Sequence, residues 1–193
     1  MSEQQEAAIL LACERRRYAL RDRVIVLLAL KAGLRPVEIA ALRRSHVLER
    51  DGSVAAELEI SAEMAYRGPG RVIPLHPLLR EAIADLVAEQ GKLHRSAPLF
   101  LSERGKADRH ELEPMTPKHA GWVCVDVAEA AGVPEFNAQA ARTTFQVRLE
   151  RVIQEVGGTE IDVFALSGMV PTPRMLRTQA PNPAAQRRAI RLI

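Results

Sequence analysis

Apolar residues recur along this chain at helical spacing in most places and at alternate positions in only two. Residues 4–19 set Ala8, Leu11 and Cys13 against charges at Arg15–Arg17, which predicts an amphipathic helix. The stretch from Arg21, "RDRVIVLLALKAG", is apolar on nearly every side and predicts a central helix. Gly33 suits its C-terminal cap, and Pro36 suits the first turn of a third helix, "PVEIAALRRSHV". Arg35 lies in the loop between them. Residues 54–60 and 71–75 predict two strands, and "AYRGPG" between them supplies a hairpin turn.

Helical spacing then returns. "HPLLREAIADLVAEQG" has Pro77 early and Gly91 late, as a helix with defined ends would. After a polar loop near 102–114, Thr116 and Pro117 fit the N-cap and first position of "TPKHAGWVCVDVAEAAG". Helices are expected again near 138–155 and 160–167, before a segment broken by prolines. No internal repeat and no linker divides the chain. The reading is one domain over residues 1–193, mainly α with a small antiparallel β-sheet, ending in a basic segment at 171–193.

Composition changes this picture in two places. Aromatic residues are only 4% of the chain, so the core must be built from Leu, Ile, Val and Ala. The net charge is +3, and it is unevenly spread. From Ala140 onward there are eight arginines, no lysine and four acids, a surplus of four, which leaves −1 for the remainder. Arg174, Arg177, Arg187, Arg188 and Arg191 fall in the last twenty residues, where there is no acid. Arginine without lysine suits phosphate, because the planar fork grips two oxygens. A solvated helix face accounts for the same run equally well.

Other chemistries lack support. Cys13 and Cys124 stand apart in apolar contexts, and read as free buried thiols in a reducing compartment. His46, His76, His94, His110 and His119 are scattered and read as surface or loop residues. There is no glycine-rich phosphate loop and no carboxylate pair of hydrolase type. The N-terminus has no signal-peptide pattern, and the longest apolar run, Val24 to Leu30, is too short for a bilayer. A cytoplasmic protein without membrane contact is expected.

Three blocks remain. Gly33, Leu34 and Arg35 are followed by Glu38 and Leu42; Arg71 is followed by Pro74 and Leu75; Gln139 is followed by Arg142, Thr144 and Phe145. In this order, around a hairpin, they resemble the catalytic domain of the tyrosine recombinases, the phage-integrase family. The resemblance runs from about Arg21 to the end. It implies that fold, without the family's N-terminal core-binding domain, and double-stranded DNA as partner. No cofactor or metal is implied. In that family a tyrosine oxygen attacks a DNA phosphodiester, two arginines stabilise the developing charge, and a hairpin lysine acts as general acid.

The resemblance also implies losses. Arg35 and Arg142 match the two arginines. The hairpin lysine falls at Tyr66, and neighbouring Arg67 keeps positive charge there but is a poor acid. Gln139 stands at the first histidine. "LSGM" places Met169 at the second, and counting from either side puts Thr178 at the nucleophile. Four of six catalytic positions are therefore replaced. General acid catalysis alone is worth about 10²–10⁴-fold, so turnover should be lost.

Taken residue by residue, Arg35 either pairs with Glu38 across a helical turn or contacts phosphate, with Glu38 supporting. Arg142 is either solvated or shares that anion. Arg67 is either a plain turn residue or reaches a groove. Three roles fit: an inactive DNA-binding accessory factor, a recombinase subunit completed by a partner's tyrosine, or a subunit that docks on an active recombinase without binding DNA; residues 171–193 could serve that docking or self-association.

Overall fold

The computed structural model describes residues 1–66, 68–102 and 112–193. Among them are ten helices and one two-stranded sheet: α1 (Glu3–Glu14), α2 (Ala19–Lys31), α3 (Pro36–Ala41), α4 (Arg44–Val47), β1 (Glu57–Ile60), β2 (Arg71–Pro74), α5 (Pro77–Gln90), α6 (Pro117–Ala130), α7 (Ala138–Glu155), α8 (Glu160–Ser167), α9 (Pro173–Thr178) and α10 (Pro183–Leu192).

Helix α2 is the axis of the core. Every residue from Val24 to Leu30 is fully buried, and the helix packs against α1, α5, α6 and α7. A helix with no polar face must bury its ends too. At its start Asp22 is buried, accepting bonds from Arg16 Nε at 2.6 Å and Arg21 Nε at 2.8 Å. Burying a carboxylate is tolerable only when it is paired in this way.

The helix starts follow the expected capping chemistry. Thr116 accepts from the His119 N–H, and Asn137 accepts from the N–H groups of Gln139 and Ala140. The strands pair antiparallel, with Glu57 opposite Pro74 and Ile60 opposite Arg71. Leu58, Ile60 and Ile73 point into the core while Val72 faces out. The strands are shorter than expected, because Val54 instead bridges to Leu48.

Three expectations are corrected. The first helix ends at Glu14, and its buried face is Glu6, Ile9, Ala12 and Cys13. Ala8 is only half-buried and Leu11 is 52% exposed. A buried glutamate defines the face, which apolar spacing could not reveal. The third helix splits after Ala41. The Leu42 carbonyl accepts from Leu99, and the Arg44 N–H donates to Ala97, so residues 97–99 take bonds a continuous helix would need. His76 is a loop residue but buried, its Nδ1 capping α5 through the Leu78 N–H.

Cys13 and Cys124 are buried and free, and burial pushes both thiols up to about 12. No helix among the described residues is long and apolar enough to cross a membrane. The basic C-terminal segment is anchored by fully buried Asp162. Its carboxylate accepts from the Thr159 N–H, the Asn182 N–H at 2.6 Å and Gln186 Nε2 at 2.7 Å. Ala185, Ala189 and Ile190 of α10 are thereby seated against the body of the domain.

Candidate phosphate-binding site

The turn after α2 builds the site. Gly33 has φ +62, a conformation that disfavours a side chain, and an added Cβ would lie 2.5 Å from Phe145 Cδ1. The Gly-Leu-Arg block and the Thr-Phe block are therefore in direct contact. Leu34 is buried, which turns Arg35 outward at the N-cap of α3. The Arg35 N–H donates to Glu38 Oε2 at 2.9 Å.

The Glu38 side chain is not paired with the Arg35 side chain. Arg71, the first residue of β2, donates to both Glu38 oxygens at 2.8 Å. Both side chains are buried. Burial alone would raise the Glu38 carboxyl, but the Arg71 contacts, with the Arg35 N–H and the charge of Arg142, hold it below the usual carboxylate range. Close packing by Gly168 holds Arg71 in place: a Cβ there would sit 2.8 Å from Arg71 Nη1.

Arg142 enters from α7. It is 4% exposed and donates at 2.5 Å to the Gly33 carbonyl and at 2.5 Å to the Ser167 carbonyl. Burial first, and then the charges of Arg35 and Arg71, push its guanidinium down to about 10, against the opposing pull of Glu38. Arg35, Arg71, Arg142 and Glu38 thus form one electrostatic group with three cations and one anion. Arg71 Nε is buried with no protein acceptor among the described residues.

The remaining named positions fall in different places. Tyr66 is 47% exposed on the hairpin turn, with the Arg35 guanidinium 4.9 Å from its ring centre. Arg67 lies outside the described residues. Met169 is half-buried and packs against the core beside Gly168. Gln139 is exposed in the first turn of α7, where its backbone N–H is capped by Asn137. Thr178 is exposed at the end of α9 and donates to its own helix, at the Arg174 carbonyl. Neither Gln139 nor Thr178 bonds to the arginine cluster among the described residues. The sequence marked Arg71 as part of a motif but assigned it no role. A strand opening with arginine, facing a helix with one lone glutamate, was the available signal.

A second buried glutamate lies elsewhere. Glu6 pairs with Lys31 at 2.7 Å and with Arg148, and Lys31 also donates to the Ile193 carbonyl. These groups border a cleft of about 340 Å³ together with His76, Arg151 and Arg191. Among the described residues no group of His, Cys, Asp and Glu has the arrangement of a metal site.

No family model matches this chain, and no curated protein matches it in sequence. Solved structures do match its backbone. The XerA recombinase superposes with a TM-score of 0.65 at 17% identity, covering 97% of this chain and 62% of that one. The fold is that of a tyrosine recombinase catalytic domain. The integrase of mycobacterium phage Brujita matches at TM-score 0.59 and 19% identity, over 95% of this chain and 55% of its own. The Tn1549 transposon integrase, solved in complex with transposon right-end DNA, matches at 0.62 and 17%, over 98% and 64%. The chain spans less than two thirds of the length of each of these neighbours. At such identities the recombinase fold is shared, and the activity has to be argued from the site.

Proposed function

We propose that this protein binds double-stranded DNA through the phosphate backbone, using Arg35 and Arg142 with Arg71 behind them, and that it serves recombination without cutting a strand. The observation that carries this reading is the surplus of charge around Glu38: its carboxylate bonds Arg71, while Arg142, buried and bonded to the Gly33 and Ser167 carbonyls, carries a charge that feels both Arg35 and Arg71. Neighbouring cations repel one another, and a phosphodiester would relieve that repulsion by supplying both charge and acceptors. The orphan donor on Arg71 fits the same reading.

Lack of turnover rests on the replaced positions. Tyr66 stands where the resemblance expects a lysine. Gln139 and Met169 carry no titratable proton. The Thr178 hydroxyl has a far less accessible anion than a phenol, whose pKa is about 10. An accessory role beside an active recombinase follows from binding without chemistry.

The test is duplex binding by fluorescence anisotropy across a salt series, together with incubation on a nicked duplex. Binding that falls steeply with salt, weakens in Arg35→Ala/Arg142→Ala, and leaves no covalent adduct is the expected result. Arg142→Lys, which keeps charge but loses the bidentate fork, guards against misfolding of the double variant. Absence of binding at low salt, or a covalent protein–DNA adduct, overturns the reading.

A further inference from the structure

The three arginines of the cluster are not equivalent. Arg71 spends two donors on Glu38, and Arg142 spends two on the Gly33 and Ser167 carbonyls. Both are buried. The Arg35 guanidinium is half-buried and donates to no protein group among the described residues. Its single described side-chain contact is with the Tyr66 ring, at 4.9 Å from the ring centre.

That contact is of a particular kind. A ring below a guanidinium attracts it through the π face and leaves the N–H edges unused. A carboxylate in the same place would hold the charge but consume the donors, as Glu38 does for Arg71. A free arginine would lose rotamer entropy on meeting a ligand. An aromatic support reduces that loss without competing for the bond. On the strand side of the hairpin, Gly70 packs closely against the first strand: an added Cβ would approach the Ile60 carbonyl to 2.7 Å.

We infer that Tyr66 is a positioning residue for the phosphate site: its ring holds Arg35 so that the guanidinium edge meets a phosphodiester oxygen. This rests on the DNA-binding reading given above. The ring acts, and the hydroxyl is dispensable. Position 66 therefore does not simply mark a lost acid. It carries a ring suited to supporting the arginine of a site that holds phosphate.

The experiment is duplex binding by anisotropy across a salt series for four proteins: wild type, Tyr66→Leu, Tyr66→Phe and Arg35→Ala. Tyr66 is nearly half exposed on a turn, so these variants should melt close to wild type. Tyr66→Leu should weaken binding about three- to tenfold, the range of a partly exposed cation–π contact. Its salt slope should not change, because no phosphate-contacting charge is removed. Tyr66→Phe should recover what Tyr66→Leu loses. Arg35→Ala should lower the slope by about one, and adding Tyr66→Leu to it should cost nothing further.

Tyr66→Leu binding as wild type, while Arg35→Ala is weakened, overturns this inference and leaves the site reading standing. Tyr66→Phe as weak as Tyr66→Leu also overturns it, since the hydroxyl would then be the active group. An Arg35→Ala protein that binds as wild type overturns the site reading itself.

Discussion

Two buried glutamates in this molecule each gather basic side chains, and they do so to different ends. Glu6 lies between Lys31 and Arg148, and both cations touch it. Lys31 also holds the Ile193 carbonyl, so this cluster ties the first helix to the end of the last. Every member of the core triad is directly bonded. Glu38 lies among Arg71, Arg142 and Arg35, yet only Arg71 bonds to it through the side chain. Arg142 is tied to backbone carbonyls, and Arg35 rests on a ring. The first arrangement closes on itself as a clamp. The second keeps a surplus of positive charge and, among the described residues, a buried Arg71 donor with no protein acceptor, as the proposed anion site requires. Burial and residue type hardly separate the two; where the donors go does.

The sharpest way to break this contrast is to remove each carboxylate. Glu38→Gln leaves three guanidiniums with no anion and should cost about 3–5 kcal/mol in urea unfolding. Millimolar inorganic phosphate should restore part of that loss, because it binds only the folded cluster. Glu6→Gln should cost less, about 2 kcal/mol, since two charged bonds are weakened at a slightly more open site. Phosphate should restore none of it. Equal rescue of both variants would erase the distinction.

Acid titration tests both clusters together. The Glu38 and Glu6 carboxyls are each held below their ordinary value of 4.5. For each, burial pulls upward and the adjacent cations outweigh it. A carboxyl lowered on folding contributes stability that is complete above the unfolded value and is lost as pH falls through the folded one. Stability should therefore decline from about pH 4.5 downward, and either Glu→Gln variant should flatten that limb in a melt series. The smallest effect belongs to Thr178→Ala. Its hydroxyl serves only its own short, exposed helix, so stability should stay within about 0.5 kcal/mol and DNA binding should not move.

The legible part of the fold was the part governed by apolar spacing. The run from Val24 to Leu30 could only be a central helix, and the proline and glycine punctuation located most helix ends. The face of α1 was not legible, because Glu6 is buried by partners 25 and 142 positions away. The break between α3 and α4 was hidden for the same reason: residues 97–99 supply bonds that no local pattern announces. At the site, the motif resemblance singled out Arg35 and Arg142, and the fold bonds Arg142 to the Gly33 carbonyl, two residues before Arg35. The pairing of Glu38 with Arg71 rather than with Arg35 could not be read, since helical proximity favours the local partner and the sheet delivers the remote one.

A phosphate site at Arg35 is tested most directly by comparing the rims of the two clusters in DNA binding. Salt-dependent duplex anisotropy would be measured for wild type, Arg35→Ala and Arg151→Ala, each variant losing one exposed or half-buried charge. Arg35→Ala is expected to weaken binding and lower the salt slope by about one, while Arg151→Ala leaves both near wild type. Equal losses in both would mean diffuse attraction to a basic surface, and would contradict a phosphate site built around Arg35, Arg71 and Arg142.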